Sequence, residues 1–302
     1  MNAPESKERE PLAPGLYLVA TPIGNLEDIT LRALRVLRAA DRIACEDTRQ
    51  TAKLLSHFGI TTPTVSYHLH NEVSRAQELI DSLREGGRIA LVSDAGTPAI
   101  ADPGAAIVSA AIDAGIAVYP IPGANAALTA LVASGLSTER FTFHGFLPSK
   151  SGQRRSALEQ LRAELSAADS NYDRPPATHI FYETPHRILD ALADVATILG
   201  PAHRIVLARE LTKLHEEHLR GSVSEVLATL QQRPSIRGEI VVLLEGTLTT
   251  SASAGTIQQS LADEVHALLR SGASEKDALK QVAKSRGLGK SDAYREWQRR
   301  KR

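Results

Sequence analysis

A single cysteine, Cys45, stands in a chain of 302 residues. That excludes an internal disulfide and a multi-cysteine zinc site, and it fits a reducing compartment. Between Ala44 and Glu46 it reads as a small core residue. Neither sign of charge is in excess, because 35 Lys and Arg balance 35 Asp and Glu. A molecule coated with positive potential is thereby ruled out, and any nucleic-acid contact must come from local basic clusters. No apolar run approaches membrane-spanning length, and the opening MNAPESKEREPLAPG lacks the apolar core of a leader. The expectations are a cytoplasmic protein with no membrane partner. GxGxxG and GxxxxGK[ST] are missing too, which removes the dinucleotide fingerprint and the P-loop. His68 and His70, two apart and so on one face of a strand, have no third His or Cys at ligand spacing, so no metal is expected.

What is present is a globular composition, 42% hydrophobic and 23% charged, in a chain long enough for two domains and an appendage. The chain is organised around Arg88–Gly104 (RIALVSDAGTPAIADPG) and its echo Ile116–Ser134 (IAVYPIPGANAALTALVAS). The run Ile89–Val92 reads as a buried strand that breaks at Ser93 into Asp94, Gly96, Pro98, Asp102, Pro103 and Gly104. Strands that open at their carboxyl ends into small, turn-forming residues build the ligand crevices of open α/β sheets. The echo repeats the plan with Pro122, Gly123 and Asn125 before an Ala/Leu helix. A third opening follows Leu16–Ala20, where the strand meets Thr21-Pro22-Ile23-Gly24-Asn25, so three loops are expected on one cleft.

Around these loops the pattern alternates strand and helix, which predicts a mainly parallel sheet covered on both faces. Asp28 or Thr30 caps a helix carrying Leu31, Leu34 and Leu37, and Arg42–Ala44 is a strand leading to Glu46-Asp47-Thr48-Arg49. That quartet reads either as a solvated helix start or as a charged cluster facing the cleft. A helix over Ala76–Leu83 stops at Gly86-Gly87. After Gly135 the period-two phenylalanines of FTFHGF (Phe141–Phe146) open a second α/β segment with its own sheet: strands His179–Glu183, Arg204–Ala208 and Ile240–Glu245, and helices Ser156–Ala168, Ile188–Leu199 and Val223–Leu230. Ser170–Pro176 reads as a loop. Lys150, Arg154 and Arg155 suit a helix start or a phosphate-contacting loop equally. Leu248–Gly255 is linker-like, and Ile257–Arg302 reads as three short helices with a helix-turn-helix character. Its last stretch, Lys284–Arg302, holds eight Lys or Arg against Asp292 and Glu296, either a solvated terminus or a nucleic-acid contact. The expected division is 1–14 disordered tail, 15–138 and 139–246 α/β domains, 247–256 linker and 257–302 basic helical domain.

In order along the chain, LYLVATPIGNLEDITLRAL (Leu16–Leu34), ACEDTR (Ala44–Arg49), SYHLHNE (Ser66–Glu72), LVSDAGTPAIADPG (Leu91–Gly104), PIPGANAA (Pro120–Ala127), GFLPSK (Gly145–Lys150), FYETPHR (Phe181–Arg187), ARELTKLHEE (Ala208–Glu217) and RGEIVVLLEG (Arg237–Gly246) resemble one family. It is that of the bacterial small-subunit ribosomal RNA cytidine 2′-O-ribose methyltransferases, within the tetrapyrrole-methylase superfamily. Asn125 stands where that family more often has Ser. The resemblance implies two α/β domains of tetrapyrrole-methylase type, the class III S-adenosylmethionine (SAM) methyltransferases, with a small C-terminal helical domain. It implies a homodimer acting on 16S rRNA or the small ribosomal subunit, in the decoding region. Carried over by position, Pro22, Gly24, Asp94, Gly96, Pro98, Ile100, Ala101, Asp102, Pro122, Gly123, Ala124 and Asn125 line the SAM side of the cleft. Phe181, Tyr182, Leu211 and Arg237–Glu239, with Gly238 central, close it from the second domain.

A ribose hydroxyl is a weak nucleophile at neutral pH, so a base or a cation near the developing alkoxide should help. The candidates are Glu46, Asp47, His70 and Lys213, with His68 in either a catalytic or an RNA-contacting role. Arg49, Lys150, Arg154, His186 and Arg187 suit the phosphates around the target nucleotide. Two other readings stand beside this one: SAM-dependent methylation of a small molecule such as a tetrapyrrole, and a non-catalytic RNA-binding assembly factor that keeps SAM as a structural ligand.

Overall fold

The computed structural model describes residues 12–68, 72–169, 176–248 and 274–285, and the single positions 265, 268, 269, 289, 294 and 297. Five short apolar runs build the first sheet: β1 (Gly15–Val19), β2 (Arg42–Cys45), β3 (Thr64–Ser66), β4 (Arg88–Val92) and β5 (Val118–Ile121), in the order β3-β2-β4-β1-β5. Every pairing is parallel, with Leu16 opposite Ile89 and Val118. Parallel strands need crossovers, and the helices supply them on both faces. Thr30 starts α1 (Leu31–Ala39) by accepting the Ala33 N–H at 3.0 Å, and Asp47 starts α2 (Thr48–His57) in the same way. Leu34, Val36, Leu37 and Leu55 from these helices pack with Tyr17, Val19, Ile43 and Cys45 on one face. On the other, α3 (Glu72–Arg84) and α4 (Ala105–Asp113) bring Leu79, Leu83 and Ile107 onto Leu16, Ile89 and Leu91.

The second sheet combines β6 (Phe141–Phe146), β7 (Thr178–Glu183), β8 (Arg204–Arg209), β9 (Glu217–Ser222) and β10 (Ile240–Leu244) in the order β6-β7-β10-β8-β9. Only β6 and β7 run parallel; the other three pairings are antiparallel. Against one face lie α6 (Ser151–Asp169), α7 (Ile188–Leu199) and α8 (Val223–Gln231), the last opened by a reciprocal Ser222–Glu225 capping box. The opposite face is covered by α5 (Ala126–Ser134), which follows β5 of the first sheet. Ala127, Ala130 and Leu131 pack on Ile180, Val206, Val241 and Leu243. Arg220 of β9 then holds the end of α5, donating to the Ala133 and Ser134 carbonyls at 2.6 and 3.2 Å. By sequence α5 belongs to the 15–138 segment, and by packing to the second sheet. The two sheets accordingly form one compact unit ending at Leu248.

Several expectations change at this level. Leu12 is buried and its carbonyl accepts from Arg88 Nε at 2.8 Å, so residues 12–14 of the expected tail pack on the first sheet; residues 1–11 lie outside the described residues. The strand before the two histidines stops at Ser66, short of His68, and Tyr67 after it is buried and donates to the Glu72 carboxylate at 3.1 Å. His70 and the loop residues 170–175 lie outside the described residues, as do most of the expected linker and most basic residues of the tail. In the second unit, α9 (Glu275–Ser285) buries Ala278, Leu279, Val282 and Ala283 with Val265 and Trp297. No described helix is long and apolar enough to cross a membrane.

Candidate active site

The three expected openings meet. Thr21 and Gly96 exchange backbone hydrogen bonds of 2.9 and 3.1 Å, and Thr21 Oγ1 donates to the Ser93 carbonyl at 3.1 Å. Thr97 Oγ1 donates to the Ala124 carbonyl at 3.1 Å, which ties in the loop before α5. Ala99 and Ala101 hold φ of 65° and 61°, left-handed values that cost a non-glycine residue about 1 kcal/mol or more each. The surrounding hydrogen bonds hold that strain, and the loop presents backbone and small side chains to a cleft.

From the second sheet, the carboxyl end of β7 and the turn before β10 face the same space. The turn is held from behind: Glu217 takes both Arg209 and Arg233, and Arg209 donates to the Arg237 carbonyl at 3.1 Å. Those guanidiniums, Arg233 first, hold the Glu217 carboxyl down at about 2. Glu210 accepts from Lys213 Nζ at 2.8 Å and from the Glu239 N–H at 3.1 Å, while Asn25 N–H donates to Thr212 Oγ1 at 3.1 Å. The last bond joins the β8–β9 loop to the loop after β1, across the two sheets. Gly238 is required here: its φ is +89°, and a Cβ would overlap the Glu210 side chain. Gly238→Ala is expected to cost about 1–2 kcal/mol for the left-handed backbone alone, before the collision, and to release Lys213. Lower thermal stability together with weaker ligand affinity is the expected result; a variant with wild-type values for both contradicts this placement.

The space so enclosed measures about 360 Å³, at the lower end of the ~300–1,000 Å³ typical of small-molecule sites. Asp94, Gly96, Ile100, Ala101, Asp102, Asn125, Tyr182, Leu211 and Gly238 of the expected lining are brought together there. Pro22, Gly24, Pro98, Pro122, Gly123 and Ala124 do not line it; they shape the loops behind Ile23, Thr97 and Ala126, which do. Phe146, Glu183, Thr184, Pro185, Ile240 and Val241 also line it and were missed by sequence reasoning. Most lie at ends of the second sheet's strands or just beyond, where the sequence reads as core or turn.

Of the five acidic residues that line the cleft, Glu183 pairs with Arg187 and Glu239 with Lys213, which leaves a trio: Glu46 from the end of β2 with Asp94 and Asp102 from the loop after β4. Burial, then the neighbouring charges of Glu46 and Asp94, push the Asp102 carboxyl up to about 6. Burial and Asp94 raise Glu46 as well. Among the described residues no hydrogen bond reaches the Glu46 carboxylate. No group of three or more His, Cys, Asp or Glu among the described residues is arranged to hold a metal ion. The trio is instead suited to a cationic organic ligand.

The other candidates divide by their partners. Asp47 caps α2 and pairs with Arg49, whose hydrogen bond holds its carboxyl down at about 2, so it is not a base near neutrality. Lys213 is held by Glu210 and Glu239; burial opposes its charge, but those carboxylates win and its pKa rises. It stays a cation. Arg154 is corrected outright: its side chain is 5% exposed and pairs with Asp194 at 2.7 Å, tying α6 to α7 and leaving nothing for phosphate. Arg187 likewise serves the buried Glu183 carboxylate and the Leu147 carbonyl. Arg49, Lys150 and His186 remain exposed, and His68 is half-buried.

Residues 15–227 match the family described as tetrapyrrole (corrin/porphyrin) methylases. A relative in Halalkalibacterium halodurans, named ribosomal RNA small subunit methyltransferase I, is 51% identical over 92% of this chain and 93% of its own. One of the same name in Synechocystis is 44% identical over 92% of this chain and 95% of its own. Among solved structures, diphthine synthase superposes with a TM-score of 0.59 at 17% identity, covering 78% of this chain and 91% of that one. The methyltransferase CobJ gives 0.55 at 19% identity over 77% and 94%.

Proposed function

The chain belongs to the tetrapyrrole methylase family, and from that premise we propose that it methylates a ribose 2′-hydroxyl, that of a cytidine in the decoding region of small-subunit rRNA. Like its family it is a SAM-dependent methyltransferase. The observation that carries the substrate is the 51% identity, over nearly the whole chain, to a relative named for small-subunit rRNA. The cleft fits the donor: small residues and bare main chain on one side, and three carboxylates for a ligand with sulfonium and ammonium charges. When bound, SAM supplies an electrophilic methyl carbon whose bond to sulfur breaks as the bond to oxygen forms.

The chain's residues do the rest. The crossed loops of Thr21, Gly96 and Thr97 fix the floor, so reactant alignment is set before the acceptor arrives. Asp102, ionised, would hold the cationic part of the ligand. Glu46 accepts the 2′-hydroxyl proton, since it lines the cleft without a competing hydrogen bond. Lys213 acts as fixed positive charge and clasp. Arg49, Lys150 and His186 meet phosphates, and the basic tail holds the flanking RNA. The working form is a homodimer, which sedimentation checks.

A carboxylate that pairs with a cationic ligand must be ionised, and protonation competes with binding. SAM affinity is therefore expected to fall as pH drops below about 6, the Asp102 value, by up to roughly tenfold per unit. Calorimetry across that range checks it, and Asp102→Asn should bind weakly but without the pH step. The function itself is tested with tritiated SAM and small ribosomal subunits from a strain lacking the gene. Label mapped to one 2′-O-methylcytidine is expected; label entering uroporphyrinogen instead overturns the substrate.

A further inference from the structure

A second cleft of about 260 Å³ opens beside the first and shares Phe146 with it. We propose that it receives the base of the target nucleotide, and that Glu164 and Gln160 read the edge of that base. The inference rests on the rRNA reading above. For a 2′-hydroxyl to reach a methyl donor deep in a cleft, its nucleotide must leave the stack, and an unstacked base is received on flat side chains and read along its edge.

The second cleft has those parts. Phe146 is 51% exposed, although the chain has only five phenylalanines. Phe181, itself buried, also lines the cleft and has the His144 ring stacked on it, centroids 4.5 Å apart and planes 7° from parallel. His144 Nε2 and His179 Nδ1 lie 2.9 Å apart and share one hydrogen, which fixes the ring. Burial lowers both histidines, His179 to about 4, so His144 offers a neutral face near pH 7. Pro148 completes the apolar lining.

The polar groups are few and placed together. Gln160 and Glu164 sit four residues apart on α6, hence on one face, and both line the cleft with exposed side chains. A carboxylate accepts from the exocyclic amine of cytosine, whereas uracil presents an oxygen at the same position and is repelled. The sharing of Phe146 supplies continuity: ribose in the first cleft and base in the second lie on either side of one ring. Sequence reasoning took Leu147–Arg155 for a polar loop and the helix after it for structure alone, so neither residue stood out.

The test uses the full chain, tritiated SAM and unmodified small subunits carrying either C or U at the target position. The wild type is expected to prefer C. Glu164→Ala is expected to reduce the C-over-U ratio of kcat/KM by about tenfold or more; Gln160→Ala is expected to raise KM for subunits. Both side chains are exposed, so the variants fold, and an unchanged Kd for S-adenosylhomocysteine confirms it. Wild-type transfer with an unaltered C-over-U ratio in Glu164→Ala overturns the base pocket alone. No transfer by the wild type to either subunit overturns the rRNA reading and the pocket with it.

Discussion

Glu46→Gln is expected to lower kcat for methyl transfer to small subunits by about 10²–10⁴-fold, the usual contribution of a general base. Gln keeps the shape and removes the proton acceptor. The Kd for S-adenosylhomocysteine should change little, because Asp94 and Asp102 remain in the cleft. The pH profile separates this role from a packing role. A base must be ionised to act, so wild-type kcat rises with pH through the raised Glu46 pKa, and this acid limb disappears in the variant. Single-turnover measurements check it. A variant with near-normal kcat and an intact acid limb removes Glu46 from the chemistry and leaves Asp102 as the carboxylate with a suitable pKa.

Asp194→Ala is expected to destabilise the protein by about 3–5 kcal/mol, because it strands the Arg154 guanidinium in the interior between α6 and α7. The two side chains are 5% and 14% exposed, so water compensates little. Replacing both at once, Arg154→Met with Asp194→Leu, should recover most of the loss, since a well-packed apolar pair is often as stable as a buried ion pair. Denaturant unfolding checks both. If Arg154 served phosphate instead, Arg154→Ala would weaken RNA binding at normal stability, which is the opposite pattern.

Arg154 also shows where local sequence stops being informative. LPSKSGQRR looks like a basic loop because its acidic partner lies forty residues on, in a helix that reads as ordinary. Arg187 was misplaced in a different way: Glu183 is only four residues before it, yet nothing in ETPHR says that this carboxylate is buried. The quartet Glu46–Arg49 divides between its two readings, since Asp47 and Arg49 make the helix start while Glu46 alone faces the cleft. The openings after β1 and β4 and the one before α5 were legible because Gly, Pro, Ser and Asn in a row at a strand's end leave few conformations. The first sheet followed from the same alternation. The second sheet's mostly antiparallel order did not: β9 has the sequence EHLRGS, with little apolar alternation, and is specified by its pairing with β8. For the same reason Ile240 and Val241 read as core, though they also wall the cleft.

The central claim is that the cleft between the two sheets holds the methyl donor. A crystal of the full chain grown with S-adenosylhomocysteine tests it most directly. The ligand is predicted against Asp94–Thr97 and Ile100–Asp102 on one side and Tyr182, Leu211 and Gly238–Ile240 on the other, with its charged end toward Asp102. Ligand found at any other place on the chain, or a cleft left empty at saturating ligand, contradicts the account.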